Sequence, residues 1–101
     1  MTVSSDVSSD GNEITIHISG RFDFSAHHDF QRSYTEVPKG EKKFIVDLKE
    51  VDYMDSSAMG MLLQLREHSN KGAGGVVLAN GSDSIREILR IANFDKLFKL
   101  E

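Results

Sequence analysis

Two short apolar runs on either side of a stretch with helical spacing constrain this chain more than any other feature. Phe44-Ile45-Val46-Asp47-Leu48 and Val76-Val77-Leu78-Ala79 show no apolar/polar alternation, the pattern of strands buried on both faces of a parallel sheet. Between them, from Ser56 to about His68, Met59, Leu62, Leu63 and Leu65 recur at three- and four-residue spacings on one broad helical stripe. Thirteen helical residues rise about 20 Å, near the span of a six-residue strand, so one βαβ unit closes without strain.

The flanking segments extend this unit. Val3 to Val7 alternates, Ser8-Ser9-Asp10-Gly11-Asn12 supplies turn chemistry, and Ile14, Ile16 and Ile18 alternate with Thr15, His17 and Ser19, which predicts an antiparallel hairpin with one wet face. After Gly20-Arg21-Phe22-Asp23-Phe24, Ser25 can cap a helix to about Glu36 that places Phe30 and Tyr34 on one face. Val37-Pro38-Lys39-Gly40 stops it. Asn70 to Gly75 turns the chain, and Gly72 to Gly75 lacks the Lys-Ser/Thr ending of a phosphate-binding loop. Ser82 or Asp83 can cap a last helix carrying Ile85, Ile88, Leu89 and Ala92, and Asp95-Lys96-Leu97-Phe98 is expected to return as a short edge strand. The order β β α β α β α β predicts one α/β domain over residues 1–101, with a mixed β-sheet, an N-terminal hairpin and helices packed on the sheet.

Length and composition close off other classes. A chain of 101 residues with 39% apolar and 28% charged side chains fits one globular domain. Its unbroken apolar runs, such as Met59 to Leu63 with Gly60 inside it, are far short of the roughly 20 residues that span a bilayer. The start carries no basic segment followed by a long apolar one, so a cytoplasmic product is expected. The absence of cysteine excludes disulfides, thiolate metal sites and cysteine nucleophiles. Twelve basic against sixteen acidic residues, a net charge of -4, argue against a nucleic-acid binder. His17, His27, His28 and His68 are read as solvated: adjacent helix residues point about 100° apart, so His27 and His28 do not share an ion.

The chemistry concentrates in Tyr53-Met54-Asp55-Ser56-Ser57-Ala58-Met59-Gly60, the turn from the parallel strand into the second helix. In open α/β sheets, sites favour the carboxyl ends of strands. Helix capping alone accounts for Asp55 and Ser56. Against that, Asp-Ser-Ser offers three capping side chains where one suffices, and Gly60 costs roughly 1 kcal/mol relative to alanine. A glycine there suggests close approach by something outside the helix. A phosphate on a hydroxyl at this position would bring about -1.5 to -2 charges to free N–H groups and the positive end of the helix dipole. The fold would stay intact while the partner face changed. Met54, Met59 and Met61 read either as core or as an adaptable docking surface, and exposure separates the two.

Asp55-Ser56-Ser57-Ala58-Met59-Gly60, preceded by Phe44 to Leu48 and Val51-Asp52-Tyr53-Met54, resembles the phosphorylation-site signature of STAS-domain anti-sigma factor antagonists, and Gly20-Arg21-Phe22-Asp23 resembles the glycine and acidic pair that closes their second strand. The resemblance covers nearly the whole chain. It implies a STAS fold with Ser56 as phosphoacceptor, and Asp23, Asp55, Ser57, Met59 and Gly60 on the partner-binding face. This chain has Ala58-Met59-Gly60 where the family more often has Gly-Leu-Gly, which stiffens the helix start. Family membership implies a non-enzymatic switch without cofactor or metal, monomeric by default. Unphosphorylated, it binds an anti-sigma factor, often a serine kinase, and releases that protein's target. A PP2C-type phosphatase, frequently fused to a response-regulator receiver, restores the active form. A second STAS role is a non-phosphorylated regulatory subunit of an ABC transporter, which has no need of the Asp55-Ser56 pair.

Two enzymatic alternatives fit poorly. Ser56 lacks the Gly-x-Ser-x-Gly elbow of a hydrolase nucleophile. A receiver-like phosphoaspartate at Asp47 or Asp52 would need a longer chain and an early acidic pair for magnesium.

Overall fold

The computed structural model describes residues 2–101. The chain runs β1 (Thr2–Val7), β2 (Glu13–Phe22), α1 (His27–Thr35), β3 (Lys43–Met54), α2 (Ser56–Ser69), β4 (Val76–Ala79), α3 (Asp83–Ile91) and β5 (Lys99–Leu100), with 3₁₀ turns at Phe24–Ala26, Gly72–Gly74 and Phe94–Lys96. The strands lie in sequence order in one five-stranded sheet. β1 is antiparallel to β2 and the remaining pairs are parallel.

This order decides where the helices go. Each parallel connection crosses with the same right-handed sense, and the strand order never reverses, so successive helices fall on one face. Register confirms it: Ile14 pairs with Phe44, Ile16 with Val46, Phe44 with Val76 and Val46 with Leu78. These residues form one core with Phe30 and Tyr34 of α1, Leu62 and Leu65 of α2, and Ile85 and Leu89 of α3. The opposite face, with Thr15, His17, Ile45 and Asp47, carries no helix and is half-buried.

The hairpin, the βαβ unit and the three helices agree with the sequence reading, and four details differ. Phe44 to Leu48 is not buried on both faces: Phe44, Val46 and Leu48 are buried, while Ile45 and Asp47 turn to the uncovered side. Asp95 to Phe98 is not a strand. Phe94, Leu97 and Phe98 have helical spacing and pack inward, Phe98 N–H donates to the Phe94 carbonyl at 2.8 Å, and the edge strand begins only at Lys99. Ser25 does not cap α1: Asp23 caps the 3₁₀ turn before it, and α1 starts at His27. In α2 the buried stripe is Ala58, Met61, Leu62, Leu65 and Ser69, which leaves Met59 half-buried and Leu63 exposed.

Candidate functional site

Met54 ends β3 with its side chain in the core, and the next residue turns the chain into α2. Asp55 holds extended dihedrals, and its Oδ1 accepts from the Ala58 N–H at 3.1 Å. Its carbonyl accepts from the Met59 N–H at 3.2 Å. One carboxylate therefore does the capping for which three side chains were available. Ser56 is the first residue of the helix and is exposed, and Ser57 is half-buried. Among the described residues, neither hydroxyl is engaged in a hydrogen bond to the protein. Ser56 thus presents an unencumbered oxygen at the positive end of a fourteen-residue helix.

Asp23 is brought to the same corner by strand pairing, because Phe22 lies opposite Met54. Its carboxylate accepts from the Ser25 hydroxyl at 2.5 Å, from the Ser25 N–H at 3.0 Å and from Arg21 Nε at 3.5 Å. The Ser25 hydroxyl and backbone, then Arg21, hold the carboxyl below the usual carboxylate range. Gly60 lies on the outer side of α2, and a Cβ built there meets no heavy atom within 4 Å. Nothing inside the fold requires that glycine. Of the three methionines, Met54 and Met61 belong to the core, and Met59 alone is partly open beside the acceptor.

The expected site residues therefore converge on one end of the sheet, with Ser57 and Met59 less open than Ser56. Sequence reasoning assigned no role to Arg21, Phe24 and Tyr53, which stand exposed at this corner. The Arg21 guanidinium stacks 3.8 Å from the centre of the Tyr53 ring. Phe24 is 67% exposed and stacks on His27 with ring centres 5.1 Å apart. Arg21 and Tyr53 lie opposite each other in register and alternate with buried Phe22 and Met54, so they face outward.

His17 and His68 are not simply solvated, while His28 is exposed as expected. His17 lies between Asp47 Oδ2, at 2.9 Å from Nδ1, and Asp6 Oδ2, at 3.0 Å from Nε2. His68 Nε2 lies 2.6 Å from the Val37 carbonyl oxygen and its ring packs on Tyr34. Among the described residues no group of three or more His, Cys, Asp or Glu is arranged to hold a metal ion, and no helix is long and apolar enough to cross a membrane. Asp47 is already occupied. Burial raises its carboxyl, but bonds from the Asn80 amide, the Lys49 N–H and His17 outweigh that and leave it below the ordinary value.

The chain is 47% identical over 100 residues to a STAS-domain containing protein of Pseudomonas aeruginosa (strain UCBPP-PA14), covering 99% of each. Its fold matches the Thermotoga maritima protein TM1081 with a TM-score of 0.80 at 18% identity, over 97% of this chain and 84% of that one. It also matches the anti-sigma factor antagonist SpoIIAA in its unphosphorylated form (TM-score 0.63, 19% identity, 89% and 83% covered) and Bacillus SpoIIAA in the phosphorylated form (0.66, 16%, 99% and 91%). A sulfate transporter family protein of Wolinella succinogenes shares the fold as well (0.68, 21%, 94% and 81%). The family model for the STAS domain matches residues 4–101, and this chain belongs to the STAS domain family.

Proposed function

We propose that this protein is a phosphorylation-switched anti-sigma factor antagonist with Ser56 as the phosphoacceptor. The observation that carries the reading is the exposed Ser56 hydroxyl at the first position of α2, left free because Asp55 alone caps the helix. A serine kinase transfers the γ-phosphoryl group of ATP to Ser56 Oγ; the hydroxyl proton leaves and ADP is released. The modified corner then carries about two extra negative charges next to Asp23 and Asp55. An anti-sigma factor or kinase docked over Asp23, Asp55, Ser57, Met59 and Gly60 is expelled, while the core beneath is untouched. A PP2C-type phosphatase, in some systems fused to a receiver domain, reverses the step. The chain acts in the cytoplasm as a monomer, and the catalytic groups lie on its partners.

Incubation with the cognate kinase and ATP, followed by intact-mass and peptide analysis, tests this. One added phosphoryl group at Ser56 is expected, and label confined to a histidine or aspartate rejects the reading. Ser56→Ala should bind the partner constitutively, and Ser56→Asp should bind about tenfold more weakly, roughly 1.4 kcal/mol. Equal affinity of wild type and both variants would instead favour the second STAS role, a regulatory subunit of an ABC transporter.

A further inference from the structure

One cation stands at this corner, and the fold holds it loosely. Arg21 is the sole lysine or arginine within residues 20–31 and 50–65. Its Nε reaches Asp23 at 3.5 Å, the long limit of a hydrogen bond, while that carboxylate is already bonded twice to Ser25. The side chain is 62% exposed and lies over the Tyr53 ring. Among the described residues, no acceptor engages its outer Nη groups. It is a guanidinium oriented by stacking, with the edge that grips phosphate left vacant.

Register sets Arg21 and Ser56 at the same end of the sheet. Arg21 pairs with Tyr53 and Phe22 with Met54, so Asp23 and Asp55 each follow directly on the last paired residues and Ser56 opens α2 one residue later. Three fully extended residue rises of about 3.3 Å and one strand spacing of about 4.8 Å put the Cα atoms of Arg21 and Ser56 at most about 11 Å apart. An extended arginine and a phosphoserine close such a gap from opposite ends. A dianion set beside Asp23 and Asp55 demands a counter-charge, and a bidentate guanidinium–phosphate pair is stronger than an exposed cation–π contact.

We infer that Arg21 is the internal receptor for a phosphate on Ser56, moving from the Tyr53 ring and Asp23 to fork onto the phosphate oxygens. The inference rests on the reading of Ser56 as acceptor and adds a consequence: departure of Arg21 bares the Tyr53 ring. Phosphorylation then changes the shape of the partner-facing surface as well as its charge. A partner that docks on the Arg21–Tyr53 stack loses that platform in the same event.

Phosphoserine installed at position 56 by genetic code expansion tests this without any kinase, so its failure is separable from a failure of kinase labelling. The decisive reading is the ³¹P NMR pH titration of the phosphate. Because a nearby cation favours the dianion, the phosphate should titrate at lower pH in the native background than in Arg21→Gln, with Arg21→Lys between them. Tyr53 ring resonances should shift on modification only when Arg21 is present. Coincident titration curves for all three proteins overturn the proposal. Should the Gln variant fold poorly, the native background decides the matter: Tyr53 ring resonances that do not move on modification overturn the proposal.

Discussion

Gly60 is a residue whose identity the isolated fold does not explain. It sits mid-helix with open space where a side chain would go, and an exposed helical glycine costs up to about 1 kcal/mol against alanine. Gly60→Ala is therefore expected to stabilise the free protein by about 0.5–1 kcal/mol in urea melts. The same substitution should weaken partner capture, because the added methyl stands where a docking surface must come close. If the stability gain appears without a binding loss, Gly60 is not at the interface. Asp55 behaves oppositely: its carboxylate is the only side-chain cap on α2 among the described residues, so Asp55→Ala should cost about 1 kcal/mol by the same melts. Ser57→Ala, which removes no hydrogen bond seen in the fold, should leave stability within about 0.5 kcal/mol of wild type.

At the scale of the element, α2 shows what a sequence yields and where it misleads. Its existence and length follow from period, but its phase does not, because Ala58 and Ser69 lie on the buried stripe whereas Met59 and Leu63 flank it. A reading weighted by side-chain hydrophobicity selects the large residues and rotates the helix toward them. Substitution separates the two faces: Leu62→Ala should cost about 2–5 kcal/mol, and Leu63→Ala, at 41% exposure, less than about 1 kcal/mol by thermal denaturation. Comparable losses at both positions would mean that the outer stripe is covered in the free protein. The same weakness affected β3, where apolar Ile45 hid the alternation that Asp47 already announced. At the corner the legible residues were those with a strong local signature, Asp55, Ser56 and Gly60. Arg21, Tyr53 and Phe24 were not legible, because what makes them informative is the neighbour each one stacks on, and sequence alone does not supply that neighbour.

For the whole molecule, the monotonic strand order has a cost and a use. With every helix on one face, the other side of the sheet must be stable in water, and it is fastened by polar groups instead of a second layer. Asp6, His17, Asp47 and Asn80 link β1, β2, β3 and the end of β4 across that face. Asp47 is the central member, and its carboxyl is held below the ordinary value because the bonds it accepts outweigh its partial burial. A carboxyl whose folded value is depressed contributes stability that is complete above its unfolded value, near 3.9, and that is lost as the pH falls through the folded value. Asp10 and Asp23 are displaced in the same direction, by Ser8 and Ser25 respectively. Stability measured by urea titration should therefore be level in these groups' contribution down to about pH 5 and fall progressively below about pH 4. Asp47→Asn should lower stability at neutral pH and flatten the acid limb, since the amide cannot be protonated in that range. An acid limb identical in wild type and Asp47→Asn would place the fastening of the bare face elsewhere, and the strand pairing itself would then have to carry it.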